Sequence, residues 1–238
     1  MDRYEKEFLG IFRKFSQSHT PWNVWRDFIF LSATAISNQV DKRPGVWDKR
    51  ESEYLLTIKR YSKDERFEIP TLLAYVTKSL QDNPAQDFLG RMFMTLELSN
   101  HWQGQFFTPY HLSELMAEIS VGGNIEERVR RSGYISVSDP ACGAGSLIIA
   151  FANVCAKHGV DYRNSVLFAG QDVDETVALM CYIQMSLLGC AGYVAVGNSL
   201  TEPVKGTPIN PVYKRENLWF TPGYLSQPWV GRWMGGKS

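Results

Sequence analysis

Ile135-Ser136-Val137-Ser138-Asp139-Pro140-Ala141-Cys142-Gly143-Ala144-Gly145-Ser146-Leu147 reads as a buried strand, an acidic glycine-rich turn and the opening of a helix. Glycine permits backbone conformations and close approaches that a Cβ blocks, and such a turn aims the N–H groups of the next helix at whatever lies above the strand end. The stretch therefore predicts a nucleotide-style ligand site in an α/β fold. Its glycine spacing is not GxGxxG, which argues against NAD or FAD.

Outward from this turn, strand and helix signals alternate. Strands are predicted at residues 134–138, 166–169 and 193–196, with helices at 146–158 and 175–189 between them, the pattern of a parallel sheet. Residues 2–100 read instead as helices. Phe8, Ile11, Phe12 and Phe15 recur at helical spacing, and Pro21 stands where a first helical turn accepts it. Residues 41–50 contain Pro44-Gly45 and are expected to form a loop, with helices at 51–61 and 71–80 and another starting at Asn83-Pro84. A loop at 104–110 leads into a helix at 111–120. Residues 201–238, with Pro203, Pro208, Pro211, Pro222 and Pro228 among Trp219, Trp229 and Trp233, suit an extended tail wrapped over a surface, with weak strand character at 217–220. The expected division is a helical domain at 1–100, an α/β domain at 101–200 and the tail at 201–238.

Composition narrows the partners. The chain has 238 residues, 44% of them hydrophobic, enough to bury a substantial core. Lys plus Arg and Asp plus Glu are equal at 25 each, so no global field draws the chain to nucleic acid or to a membrane. Residues 1–14 are charged and amphipathic, and no window approaches the apolar length of a bilayer span, so a cytoplasmic protein is expected. Cys142, Cys155, Cys181 and Cys190 form no CxxC pair and the histidines show no ligand spacing, so no metal site is expected. The basic residues at 42–66 and 128–131 are interleaved with acidic ones and read as solvated faces.

Three features reinforce the glycine turn. Asp172 follows the second predicted strand, where ribose hydroxyls are gripped in doubly wound nucleotide sites. Gly197-Asn198-Ser199-Leu200 follows the third, where a polar side chain would meet an adenine ring. Upstream, Gly104-Gln105-Phe106-Phe107-Thr108-Pro109 runs into a helix, so that the Thr108 hydroxyl and neighbouring N–H groups suit a carboxylate or phosphate. Each taken alone has a structural alternative: a plain turn, an acidic residue favoured at a helix start, a common helix opening. Their joint order is what points to a ligand.

Together these residues resemble the S-adenosylmethionine site of adenine-N6 DNA methyltransferases, especially the modification subunit of type I restriction-modification systems, over roughly residues 87–200. The resemblance implies a reduced Rossmann-like methyltransferase sheet with an N-terminal helical domain. In that family a GQF(Y/F)TP segment caps the methionine end of the cofactor, a DPACGxG turn wraps it, an acidic residue binds the ribose and a GD or GN segment lies beside the adenine. The implied cofactor-binding residues are Phe107, Thr108, Pro109, Asp139, Ala141, Cys142, Gly143, Gly145, Asp172, Val173, Asn198 and Leu200. Asp87-Phe88-Leu89-Gly90-Arg91 resembles the region joining that family's helical and catalytic domains.

Catalysis in the family uses an (N/D)PP(Y/F) segment, whose polar groups accept hydrogen bonds from the amine of a flipped-out adenine while its ring stacks on the base. The candidate here, Asn210-Pro211-Val212-Tyr213, departs from the pattern at the second proline, and the preceding Lys205-Gly206-Thr207-Pro208-Ile209 does not form a buried apolar strand. If the chain is active, adenine-N6 methylation of DNA rests on Asn210, Pro211 and Tyr213; the alternative is a catalytically silent cofactor-binding or assembly protein that pairs with another subunit. The family extends its sheet on the far side of the first strand, so here that strand is expected near an edge, covered by the N-terminal helices, the aromatic tail or a second chain.

Overall fold

The computed structural model describes residues 1–15, 18–98 and 107–235. Five helices come first: α1 (Arg3–Phe15), α2 (Pro21–Val40), α3 (Val46–Ile58), α4 (Lys63–Asp82) and α5 (Phe88–Thr95). Then follow α6 (Tyr110–Val121), α7 (Ile125–Ser132), β1 (Ile135–Asp139), α8 (Ser146–Lys157), α9 (Tyr162–Ser165), β2 (Val166–Asp172), α10 (Glu175–Leu188) and β3 (Ala191–Val196). The tail adds β4 (Lys205–Thr207), β5 (Asn210–Val212), β6 (Leu218–Phe220) and α11 (Trp229–Gly235).

The sheet runs β1-β2-β3-β6. β1, β2 and β3 are parallel, with Ile135 opposite Val166 and Leu167 opposite Ala191, while β6 joins β3 antiparallel, with Tyr193 opposite Phe220. Among the described residues no strand pairs with the outer edge of β1, as expected for a small sheet. Side chains alternate across the strands. Val166 and Phe168 point into the main core beneath α8 and α10, whereas Leu167, Ala169, Ala191 and Tyr193 meet the tail on the opposite face.

α10 is buried almost all round, the signature of a helix inside a core rather than at its surface. It packs on β2 and β3 on one side and on α2 on the other, so one continuous apolar cluster extends from Phe8 and Trp25 through Phe93 to Phe168 and Trp219. The N-terminal helices thus brace the element that follows β2.

Several boundaries differ from the sequence expectation for identifiable reasons. α4 begins at Lys63 rather than at 71, because Ser62 and Glu65 form a reciprocal cap: the Glu65 amide donates to Ser62 Oγ (3.3 Å) and the Ser62 amide to Glu65 Oε2 (2.8 Å). α5 begins at Phe88 rather than at Asn83. Asn83 closes α4, its amide donating to the Ser79 carbonyl, and Asp87 is the residue that caps α5 by accepting from the Gly90 amide (2.8 Å). α3 starts at Val46, inside the expected loop, after Gly45 turns the chain at a φ of 78°. The tail is more ordered than an extended wrap, containing a hairpin, a sheet strand and a helix.

Candidate functional site

The turn after β1 is held from two sides. The Cys142 amide donates to the Gln171 carbonyl (3.0 Å), the Gly145 amide to the Cys142 carbonyl (2.8 Å) and the Ala141 amide to Asp139 Oδ1 (3.1 Å). Gly143 (φ 54°) and Gly145 (φ 96°) occupy the left-handed region that favours glycine. A Cβ on Gly145 would lie 2.9 Å from Cys181 Sγ, so the backbone is seated directly on α10.

Asp172, at the end of β2, points at this turn. Its Oδ2 accepts the Gly143 amide (2.9 Å) and its Oδ1 the Asp174 amide (3.0 Å). Hydrogen bonds to an ionised carboxylate are among the stronger ones, about 1.5–3 kcal/mol each. The end of β3 adjoins, with the Gly197 amide donating to the Asp172 carbonyl (2.8 Å). Three strand ends therefore form one continuous rim.

Beside the turn lies a hollow of about 230 Å³ lined by Phe107, Thr108, Ser113, Met116, Asp139, Ala141, Cys142, Gly143, Ala144, Ser146 and Leu147. The Phe107 ring stands over Gly143, where a Cβ would come within 3.4 Å of it, and packs edge-on against Phe93 (5.3 Å). Burial, reinforced by the nearby Asp172 charge, raises the Asp139 carboxyl above the usual aspartate value, while its bond from the Ala141 amide opposes the rise. Asp174 is raised as well, again mainly by burial.

The structure gathers Phe107, Thr108, Asp139, Ala141, Cys142 and Gly143 around the hollow, with Asp172 bonded to its turn. Gly145 supports the turn from beneath. Pro109 is the residue before α6, and Thr108 lines the hollow. Residues 104–106 of the expected capping segment lie outside the described residues. At the β3 end, Asn198 Oδ1 is turned into its own loop, accepting the Leu200 amide (2.9 Å), and Val173 and Leu200 are solvent-exposed.

Asn210 and Pro211 are placed elsewhere. They belong to β5 and line a separate apolar cavity of about 230 Å³ with Phe220, Tyr224 and Trp233, where Asn210 Oδ1 accepts from Trp233 Nε1 (3.3 Å). Tyr213 lies between that hairpin and the rim, its hydroxyl donating to the Val196 carbonyl (3.3 Å). The exposed β4 that precedes Asn210 is not a buried presenting strand, as the sequence indicated.

Sequence reasoning did not single out Gln184, which donates to the Ala144 carbonyl of the turn (2.9 Å), or Ser113, whose hydroxyl pairs with that of Ser146 at the hollow's floor (2.9 Å). The signal for Gln184 was an amide inside an otherwise apolar helical run. Among the described residues no group of three or more His, Cys, Asp or Glu is placed to hold a metal ion, and no helix is long and apolar enough to cross a membrane.

A glycine turn after the first strand, an acidic residue closing the second and a parallel sheet with helices behind it define an α/β protein of the nucleotide-cofactor class. The family described as N-6 DNA Methylase matches residues 86–216, more than half of the chain, and the chain belongs to that family, whose cofactor is S-adenosylmethionine. Among similar proteins is the type I restriction enzyme MpnII methylase subunit of Mycoplasma pneumoniae, 33% identical over 84 residues, which cover 35% of this chain and 14% of that protein. The chain thus matches about one-seventh of that relative's length. A crystal structure described as a class I S-adenosylmethionine-dependent methyltransferase from Listeria monocytogenes aligns over 90% of this chain and 71% of its own, with 15% identity and a TM-score of 0.39.

The site suits the cofactor. Gly143 leaves space beneath the Phe107 ring that a Cβ would fill, Phe107, Met116 and Leu147 give apolar walls, and Asp139 in the lining and Asp172 bonded to the turn place carboxylate oxygens at the rim.

Proposed function

We propose that this chain is the S-adenosylmethionine-binding part of an adenine-N6 DNA methyltransferase and works on DNA in the cytoplasm together with a further polypeptide segment. The single observation that carries the reading is the Gly143 amide bonded to Asp172, which joins the glycine turn and the second strand into one rim beside an open hollow. In this reading Asp172 and Val173 take the ribose, Asn198 and Leu200 flank the adenine, and Phe107, Thr108, Pro109 and Asp139 enclose the methionine end. Bound there, the cofactor supplies an electrophilic methyl group. The protein's own part is to orient it with preformed backbone and carboxylate contacts, which require little reorganisation on binding.

What favours a further segment is the position of Asn210, Pro211 and Tyr213. A base-accepting amide must stand within hydrogen-bond reach of the target amine, beside the methyl donor. Asn210 instead lines a different cavity, with its amide oxygen already engaged by Trp233. The outer edge of β1, which pairs with no strand among the described residues, gives such a segment, on this or another chain, a strand to dock on. The helices at 1–100 brace the cofactor part and the tail at 201–238 closes the sheet's other face.

Calorimetric titration with S-adenosylmethionine is expected to show binding that Asp172→Ala weakens by about tenfold or more, the cost of removing a charged acceptor. Equal affinity would remove Asp172 from the site. Incubation of the isolated chain with unmodified DNA and methyl-labelled cofactor, followed by nucleoside analysis, is expected to give no N6-methyladenine; a clear signal would show that no further segment is needed.

A further inference from the structure

Gln184 is fully buried in the middle of α10, among Ile183, Met185 and Leu188, where an aliphatic side chain would pack without any polar cost. Both N–H donors of its amide and its carbonyl oxygen are engaged. Nε2 donates to Asp87 Oδ1 (2.8 Å) and to the Ala144 carbonyl (2.9 Å), and Oε1 accepts the Leu89 amide (3.1 Å). The partners fix the orientation, because a flipped amide would set its oxygen against two acceptors and its NH₂ against a donor. One side chain thereby joins the start of α5, the centre of α10 and the glycine turn.

The attachment point matters more than the number of bonds. Ala144 lies between the two positive-φ glycines, so a pull on its carbonyl sets the tilt of the peptide joining it to Gly145. Three residues away, Cys181 presses against Gly145. α10 thus offers the turn one steric stop and one hydrogen bond, both from below, while Asp172 holds Gly143 from the side. The upper surface of the turn is left facing the hollow.

We propose that Gln184 is a positioning residue for the cofactor: through the Ala144 carbonyl it holds the 142–145 turn in the shape that receives S-adenosylmethionine. The proposal rests on the cofactor reading given above. Asp87 acts one step further back, orienting the Gln184 amide and capping α5 through the Gly90 amide (2.8 Å). A purely structural brace would make the same bonds, so the test must separate affinity from stability.

The full chain is titrated with S-adenosylmethionine as wild type, as Gln184→Met, which keeps the length, replaces the amide by an apolar thioether and loses all three bonds, and as Leu72→Ala, which empties a buried site in α4, an element that contributes no residue to the turn or to the lining of the hollow. Both variants are expected to lower the melting temperature. Gln184→Met is expected to raise Kd about tenfold, what withdrawing one net hydrogen bond of preorganisation costs, while Leu72→Ala stays within about twofold of wild type. Gln184→Met binding like wild type, or Leu72→Ala weakened equally, overturns the positioning role while leaving the cofactor site intact. No binding by wild type overturns the cofactor reading itself, and the positioning role with it. Should Gln184→Met fail to fold, side-chain amide exchange in the wild type decides: the Gln184 NH₂ protons are expected to slow together with the Gly143 and Gly145 amides when cofactor is added, and an unchanged Gln184 signal overturns the role.

Discussion

At the residue scale the site is governed by carboxylates placed close to one another and to backbone amides. Asp139 is raised by burial and by the neighbouring Asp172. A carboxyl whose folded pKa exceeds its unfolded value holds its proton better when folded, so stability falls as pH rises from the ordinary aspartate value, about 3.9, through the folded pKa, and the deficit then stays constant. Asp139→Asn keeps an acceptor for the Ala141 amide and removes the charge. Thermal unfolding followed from pH 4 to 8 should therefore find the variant more stable than wild type at neutral pH, with the advantage shrinking as the pH is lowered. An advantage independent of pH would mean that the Asp139 charge is not what burial penalises. This residue and Asp172 were legible in the sequence because each is the last residue of a strand followed by a turn, a purely local signature. Gln184 was not, since its partners Asp87 and Ala144 are 97 and 40 positions away and only folding brings them together.

At the element scale the informative strand is β6. Three residues of antiparallel pairing would hold weakly by themselves, and an edge strand also leaves outward carbonyls to satisfy. Two arginines from the N-terminal part meet that need. Arg50 Nη2 (3.2 Å) and Arg43 Nη2 (2.6 Å) both donate to the Leu218 carbonyl, Arg50 Nη1 donates to Ser37 Oγ (2.8 Å) and Asp41 Oδ2 (3.1 Å), and the Arg50 guanidinium lies 3.5 Å from the Trp219 ring centre. Burial lowers the Arg50 pKa to about 10, against the opposing pull of Asp41, so it stays charged at neutral pH. Arg50→Met would strip these bonds and leave Asp41 with Arg43 alone. A loss of about 3 kcal/mol in urea unfolding is expected, in the range for breaking a buried pair, together with faster proteolytic cleavage in residues 201–217. A variant with wild-type stability would mean that β6 is held by its packing alone. The alternating strands and helices around the glycine turn were readable from their periods. The β4–β5 hairpin was not, because it is short, exposed and interrupted by proline, and so carries neither a period of two nor an apolar face.

At the scale of the whole molecule, the sheet is finished asymmetrically. One face is covered by α8 and α10 with the N-terminal helices behind them, and the other depends on the tail, where Leu218, Phe220, Tyr224 and Trp229 meet Leu167, Ala169, Ala191, Tyr193 and Ala195. Trp229 also donates through its ring nitrogen to the Arg163 carbonyl (2.8 Å), and Arg232 to the Gly133 carbonyl (3.0 Å), so the tail crosses from the β3 side to the start of β1. On a different surface, α6 shows water a stripe of Leu112, Leu115, Met116 and Ile119 at helical spacing, the last of them 74% exposed, while Ser113, Ala117 and Val121 are its buried side. The sequence suggested the tail's role through its aromatic content but not its path, which depends on pairings more than 20 residues apart. A chain ending at Leu200 keeps the whole glycine-turn rim and α10, yet exposes the second face of β2 and β3. Uncovering Leu167 and Tyr193 costs about 1.5–3 kcal/mol each, with smaller losses at Ala169, Ala191 and Ala195, a substantial part of the roughly 5–15 kcal/mol by which domains of this size are stable. The truncated chain is therefore expected to bind a hydrophobic dye, to lose its cooperative thermal transition and to lose cofactor affinity although every rim residue remains. A truncated chain that melts cooperatively near the wild-type temperature would show that the helical side of the sheet is sufficient, and would reduce the tail to an appendage.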